Sequence, residues 1–452
     1  MFYDTQRMKC YQCSGTAFLC ENVSKRLFCN ASHHAQYYEG WDKLLGYLNE
    51  DQSLKEEVLH LCMKRTRPVE EITIDILESL PMELLIIVLG HAYPRLGESK
   101  SETYDALKAR KTSFRVEEAI EYLCSKVKRL YYKVVEETLN DETIVLFNGL
   151  EKLRLDYKSN VTQHALPKMT SLENLILDVY EISDDVLRQM TWLKKLALLH
   201  CGAISDKGIE TLSRLQSLSI RGESSLITKQ GLCVIAPHLK ELSLFSTPQL
   251  RDADIACLSK LTKLALYNGT DGISVSGTSF SSFPLLETLM IEANLNVGDE
   301  QLGLLANHLK VLVLDWNKRI TDRGLALMTN LESLSLQGDS LVSDESLRTL
   351  TRLRALDLGN RNRQITDRGL STLSNLTSLV ANRNITLQGL APFTQTLEHI
   401  ELNRDIYDIR GGNITPPDFV SGFPNLKSIR KMTYIYIAAE KMLTKRGVRV
   451  YF

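Results

Sequence analysis

The side chains best able to do chemistry in this chain crowd into its first forty residues: Cys10 and Cys13, then Cys20, then Cys29 and His33, with His34 beside it. The pairs Cys10-x2-Cys13 and Cys29-x3-His33 are separated by fifteen residues, and together they supply four soft to borderline ligands suited to one tetrahedral zinc. A segment this short cannot bury an adequate core, so a structural metal would provide the missing folding energy. Four protein ligands fill the shell and leave no position for an activated water, which points to structural support or protein contact. Cys10, Cys13, Cys29 and His33 are the expected ligands, with one zinc per chain. The other reading of the same residues is a short hairpin in which reduced cysteines only pack.

Elsewhere the sequence offers no catalytic set. His164, His200 and His399 have no nucleophile or carboxylate at a recognisable motif spacing. The glycine-rich run from Gly269 to Gly277 lacks the Gly-Lys-Ser/Thr that grips a phosphate, and it reads as a lengthened loop. A non-enzymatic protein is expected. Cys62, Cys124, Cys201, Cys233 and Cys257 are scattered, and each is expected to be a small buried apolar residue in a reduced protein. The formal charge of −1 argues against general attraction to nucleic acid or anionic membrane. No apolar run reaches the roughly 18 residues of a membrane helix, and the polar start lacks a secretory apolar core. A cytoplasmic or nuclear monomer is the expectation.

The elements that carry these residues come from a repeat. An apolar residue, two variable positions and two further apolar residues separated by one recur thirteen times, opening at Leu150, Leu172, Leu193 and so on to Leu426, with a mean spacing of 23 residues. That period is the leucine-rich-repeat signature. In Leu331-Glu332-Ser333-Leu334-Ser335-Leu336 the last two leucines stand two apart and share one face of a short strand. One such unit cannot bury its leucines alone, but parallel stacking makes a continuous core. Ile204-Ser205-Asp206, Ile320-Thr321-Asp322, Val342-Ser343-Asp344 and Ile365-Thr366-Asp367 place helix-capping residues before short helices expected on the convex side. Helices are wider than strands, so the stack should curve.

The fold class is therefore α/β, a solenoid with parallel strands on its concave face. Residues that alternate with the leucines line that face. They are small at strand centres (Ala197, Ser219, Ser243, Ala265) and large two positions later, with Arg221, Phe245, Tyr267, Asp315 beside Trp316, and Gln337. Exposed aromatics next to an arginine on a rigid sheet have the composition of a protein-binding hot spot, and these residues are the expected contacts to a target. The long final interval, with Gly411-Gly412 and Pro416-Pro417, marks a loop insertion of the kind that contacts ligands. The alternating run Val448-Arg449-Val450-Tyr451-Phe452 should add a fourteenth, capping strand.

Between the cysteine-rich start and the repeats, Trp41 to Lys64 has the spacing of two short amphipathic helices. Pro81 suits the first turn of another helix, and Val116 to Leu139 carries a helical stripe through Ile120, Leu123, Val127, Leu130 and Val134. Residues 94–115 read as a charged, polar insertion.

Two resemblances give these parts candidate roles. Cys10-x2-Cys13, Gly15-Thr16-Ala17 and Phe28-Cys29 resemble the MYND and HIT group of small zinc fingers; those hold two zincs, and the second site is lost here because Val23 stands where a partner for Cys20 is expected. Leu80-Pro81-x-Glu83-Leu84-Leu85, with Leu123-Cys124-Ser125-Lys126 and Arg129-Leu130, resembles an F-box, although residues 94–115 lengthen the usual link. The combination resembles F-box/leucine-rich-repeat proteins of eukaryotes and large DNA viruses. That resemblance implies a Skp-type adaptor bound at Leu80, Pro81, Glu83, Leu84 and Leu85, a cullin ubiquitin-ligase complex, and a protein substrate held by the repeats. The alternative is a scaffold or inhibitor with no ubiquitin link, its helical middle only capping the solenoid. The expected organisation is a finger over 1–40, a helical linker over 41–70, an F-box-like region over 71–140 and repeats over 141–452.

Overall fold

The computed structural model describes Leu19–Cys20, Leu27–Phe28, parts of 82–140, and 141–451 apart from 203, 223–224, 270–271, 294–295, 339, 360, 403–421 and 432–442. It divides into two compact units, Met1–Ile176 and Leu177–Phe452.

In the first unit, β1 (Leu19–Cys20) and β2 (Leu27–Phe28) pair antiparallel. Helix α1 (Lys100–Ala109) begins at Ser99, whose side chain accepts from the Glu102 amide, and it forms inside the segment read as a polar insertion. Ala106, Leu107 and Ala109 are its buried apolar residues, and Thr103 is buried with them. Helix α2 (Phe114–Lys126) buries Val116, Ala119, Ile120 and Cys124, the three-to-four spacing of one helical face. It stops at Lys126, short of the expected Leu139, and the chain is helical again at Val135 and Thr138. The reason lies at β3 (Lys152–Asp156): Arg129 forms a parallel bridge to Lys152, and the Glu151 amide donates to the Lys128 carbonyl at 3.1 Å. A backbone that pairs with a strand edge cannot also continue a helix.

The cut between the units falls inside β4 (Asn174–Asp178). Beyond it come β5 (Lys195–Leu199), β6 (Ser217–Arg221), β7 (Glu241–Phe245), β8 (Lys263–Tyr267), β9 (Thr288–Glu292), β10 (Val311–Val313), β11 (Ser333–Ser335), β12 (Ala355–Asp357), β13 (Ser378–Val380), β14 (His399–Leu402), β15 (Ser428–Lys431) and β16 (Arg449–Tyr451). Each pairs in parallel with the next, in chain order. The leucine phrase sets the register: Leu218, Leu242 and Leu264 are level with one another, as are Ile220, Leu244 and Leu266. Every described apolar position of the phrase is at most 5% exposed, so the repeats of the second unit share one core. The last copy differs, carrying Lys431 where the others place a third apolar residue.

Short helices accompany the strands, α3 (Asp141–Ile144) in the first unit and, behind the sheet of the second, α4 (Asp184–Leu187), α5 (Asp206–Ile209), α6 (Lys229–Ile235), α7 (Asp252–Ile255), α8 (Asp299–Gly303), α9 (Asp322–Leu325), α10 (Asp344–Leu347), α11 (Asp367–Leu370) and α12 (Leu387–Leu390). The expected caps are present: the Ser205, Thr321, Ser343 and Thr366 side chains each accept an amide from their helix's first turn. The aspartate that follows each cap has a task the sequence did not reveal, for it reaches into the next repeat. Asp206 takes the amide and hydroxyl of Thr228 at 2.7 and 2.6 Å. Asp299 takes those of Thr321 at 2.8 and 2.6 Å, and Asp344 those of Thr366 at 2.8 and 2.6 Å. Asp184, Asp322 and Asp367 bind Ser205, Ser343 and Thr386 in the same way.

A second column of residues makes room for this ladder. A Cβ added at Gly208, Gly231, Gly324, Gly369 or Gly389 would lie 2.0–2.4 Å from the preceding repeat's carboxylate oxygen. Where the loop from Gly269 to Gly277 replaces an ordinary turn, the ladder persists through Asp252, which accepts five bonds from Ser276, Gly277 and Ser279. Burial alone would raise the Asp252 pKa, but the Ser276 and Ser279 donors prevail and hold it below its ordinary value.

One expectation about the cysteines fails. Cys124 and Cys201 are buried free thiols, as expected, but Cys233 and Cys257 are joined as a disulfide. Both stand on the helical side of adjacent repeats, where stacking brings their Cα atoms within 5.6 Å; periodicity alone does not show that approach.

Two outcomes follow from the ladder. Asp344→Ala should cost about 1–3 kcal/mol in denaturant unfolding, the range for stranding buried donors, and Gly369→Ala should destabilise through its clash with the same carboxylate. The double variant should lose less than the sum, because the clash is gone once the carboxylate is removed. For Asp252 the sign follows from its lowered pKa: its stabilisation is complete above the ordinary carboxyl value and is lost as pH falls through the folded value. The stability gap between the natural protein and Asp252→Asn, measured by urea melts from pH 7 to pH 3, should narrow on acidification.

Candidate functional site

The open face of the second unit's sheet is built by the residues that alternate with the buried leucines. Arg221, Phe245, Tyr267 and Glu292 occupy the same register position on β6, β7, β8 and β9. Neighbouring parallel strands lie about 4.8 Å apart, close enough for flat side chains to stack. The Arg221 guanidinium lies 4.1 Å from the Phe245 ring centre, and the Phe245 and Tyr267 rings stack at 5.5 Å with planes 28° apart. The Tyr267 hydroxyl reaches the Met290 sulfur at 3.8 Å. All three members of the stack are half-buried, so each packs on its neighbours and still presents surface. Ala265, one of the small residues expected to line the face, is fully buried, whereas Ala197, Ser219 and Ser243 are half-buried.

Past Tyr267 the face turns acidic, with Glu292, then Asp315, then Asp357. Asp315 accepts the Ser335 hydroxyl at 2.7 Å and the Gln337 amide at 3.1 Å. Its pKa is raised, first by burial and further by the charge of Asp357, against the pull of those two donors. The Gln337 side-chain amide donates to Asp357 at 2.8 Å, linking the carboxylates of alternate repeats. The Tyr267 hydroxyl is likewise pushed up, by burial and then by Glu292 and Asp315.

Trp316 stands at the end of this row with φ 57°, a left-handed conformation uncommon for a bulky residue. The sheet requires that turn, because the same position recurs in Val179, His200, Ser246 and Ala293, and the amides of His200, Ser246, Ala293 and Trp316 all donate to the next repeat. Its indole lies over Gly338, where an added Cβ would come within 2.5 Å of the ring. The Arg361 guanidinium lies 5.1 Å from the ring centre. Trp316 keeps 38% of its surface exposed.

The structure thus brings the expected target residues together in two groups, Arg221–Phe245–Tyr267 and Asp315–Trp316–Gln337. Sequence reading missed Glu292, Asp357 and Arg361. Aligning the leucine phrases would have found the first two, but Arg361 sits in a loop with no periodic signal. Of the residues expected to meet an adaptor, Leu85 is fully buried and belongs to the core of the first unit; Leu80, Pro81, Glu83 and Leu84 lie outside the described residues. So do the expected zinc ligands Cys10, Cys13, Cys29 and His33. Among the described residues, no three His, Cys, Asp or Glu side chains gather as a metal site, and no helix is long and apolar enough to cross a membrane.

One constellation on the sheet has the residue types of a hydrolase. His399 Nδ1 lies 2.6 Å from Ser428 Oγ, and its Nε2 lies 4.0 Å from Glu398. Glu398 is held at 2.8 Å by Lys427, whose bond and charge lower its pKa. The Ser428 amide, which an oxyanion site would need, already donates to the Glu398 carbonyl at 3.0 Å. The arrangement is a cross-strand hydrogen bond.

A family model described as Leucine Rich repeat matches residues 189–213 and 306–328, which hold β5 with α5 and β10 with α9. The fold is a leucine-rich-repeat solenoid. A search of curated proteins found no match to the sequence. Among solved structures, the chain is similar to an internalin, inlF, from Listeria monocytogenes, at 18% identity and a TM-score of 0.43, over 77% of this chain and 98% of that one. It is also similar to the TLR13–ssRNA13 complex, at 19% identity and 0.43, over 67% of this chain and 44% of that one. A third similarity is to the Rad7 and Elc1 complex in yeast, at 16% identity and 0.42, over 83% and 94%. At such identities and scores these likenesses do not bear on what the chain binds.

Proposed function

We propose that this chain is a non-catalytic adaptor that holds a target polypeptide on the open face of its repeat sheet, and that the region around Leu80 to Leu84 docks it onto a Skp-type adaptor of a cullin ubiquitin ligase. The observation that carries the first half is the Arg221–Phe245–Tyr267 stack. Aromatic and arginine side chains pre-ordered on a rigid sheet lose little entropy on binding, and they are the residue types that dominate interface energetics. The adjoining Glu292, Asp315 and Asp357 favour a target segment that carries a basic residue beside an apolar one.

The second half rests on the Leu80-Pro81-x-Glu83-Leu84-Leu85 resemblance. Met82, Leu85 and Ile86 are helical, in keeping with a helix that starts near Pro81. Since Leu85 is buried, adaptor contact falls to Leu80, Pro81, Glu83 and Leu84. The second reading, a scaffold or inhibitor with no ubiquitin link, is favoured by the backbone of residues 128–129 against the edge of β3. Such an edge needs covering in any repeat protein, so the helical region has a structural use of its own.

Affinity purification of the full chain from cells separates the readings. The natural sequence should retain a Skp-type adaptor and a cullin together with a target. Leu84→Asp should lose the ligase components and keep the target; Phe245→Ala/Tyr267→Ala should do the reverse, with target affinity reduced about 10-fold or more, as for two hot-spot truncations. Circular dichroism should confirm that both variants stay folded. No ligase component with the natural sequence would sink the ubiquitin reading, and target binding indifferent to the double variant would sink the face. The finger is proposed to hold zinc through Cys10, Cys13, Cys29 and His33. Elemental analysis of the full chain should find one zinc that is lost in Cys10→Ser; none, or two, would overturn the ligand assignment.

A further inference from the structure

Cys233 lies within α6 and Cys257 two residues after α7, so the pair ties the helical parts of two neighbouring repeats, the segments that lead into β7 and β8, the strands that carry Phe245 and Tyr267. Their Cα separation of 5.6 Å is inside the range a disulfide spans without moving the backbone. Both cysteines are half-buried and so can be reached by a small reagent. Cys124 and Cys201 differ. Burial of Cys124 pushes its thiol up to about 12, and burial raises that of Cys201 as well, which leaves both unreactive near neutral pH.

The two repeats do not depend on the bridge for their shape. β7 and β8 pair over all five residues, and Leu232, Leu239, Leu242, Leu258, Leu261 and Leu264 are fully buried between sheet and helices. Opening the bond therefore leaves the packed core and the strand pairing in place. What the bond adds is a direct tie between α6 and the turn after α7, elements that otherwise move as freely as side-chain packing allows.

We propose that Cys233 and Cys257 form a reversible thiol–disulfide site, closed by a small disulfide of the glutathione class and opened by excess thiol, which sets how tightly the repeats behind the Phe245–Tyr267 stack are held together. In closing, the thiolate of one cysteine attacks oxidised glutathione and expels one glutathione thiolate, giving a mixed disulfide. The second cysteine's thiolate then attacks the protein sulfur and expels the other. Two protein thiols are oxidised, one glutathione disulfide is reduced to two thiols, and the two protons pass to them. The proposal does not depend on what the open face binds.

The test equilibrates the full chain in buffers of reduced and oxidised glutathione, followed by acid quench, alkylation and peptide mapping. A linked Cys233–Cys257 peptide should rise from a minor to the major species as oxidised glutathione comes to predominate, while Cys124 and Cys201 stay alkylatable only after unfolding. Amide exchange over residues 229–267 should be several-fold slower in the oxidised form, with exchange over 311–380 unchanged. Cys233→Ser and, separately, Cys257→Ser should abolish that difference while circular dichroism stays that of the natural protein. No linked peptide at any ratio, or identical exchange in both forms, would overturn the proposal. So would loss of helical and strand signal on reduction, which would make the bond a requirement of folding.

Discussion

The carboxylate that joins most repeats to the next is the constraint on which the rest of the second unit depends. Apolar stacking alone would hold parallel coils together, but leucine against leucine is a non-directional contact that tolerates sliding. An aspartate that takes both the amide and the hydroxyl of the next repeat's cap fixes position to within a hydrogen bond. The same hydroxyl accepts an amide from its own helix, as Thr321 does from Arg323 at 3.2 Å. Each cap is thus a relay between repeats as well as the start of a helix. Glycine in the facing column follows from this, since the oxygen of the preceding carboxylate occupies the space of a side chain.

Fixed spacing on the helical side carries through to the face. With Leu242 level with Leu264 and Leu244 level with Leu266, the side chains between them cannot avoid one another, and Phe245 must lie against Tyr267. The stack is therefore a product of register more than of attraction between rings. The left-handed residues that close the strands, Trp316 among them, have a similar origin: the chain must leave the sheet sharply while its amide still pairs with the next repeat. A face built this way offers aromatic and charged groups already in place, the condition under which a few side chains can dominate recognition.

The first unit shows the same economy of backbone pairing. The segment after α2 abandons its apolar helical pattern to bridge β3, because an unpaired strand edge costs more than a shortened helix. Leu85 is drawn into the core of that unit.

Much of this was legible in the sequence. The leucine period named the fold, and the Ser/Thr-Asp pairs marked where helices begin, because burial on one face and capping at one position are local rules that each repeat obeys independently. Arg221, Phe245, Tyr267, Asp315, Trp316 and Gln337 could be placed on one face for the same reason. What the sequence left undecided involved partners more than twenty residues away: the carboxylate each cap would meet, the cysteine that Cys233 would find, the arginine that would cover Trp316, and the point at which Arg129 would leave its helix for a strand. Periodicity states which way a side chain points within its own coil. Only the stacking of one coil on the next, at a distance and rotation set by the folded whole, decides what it meets there.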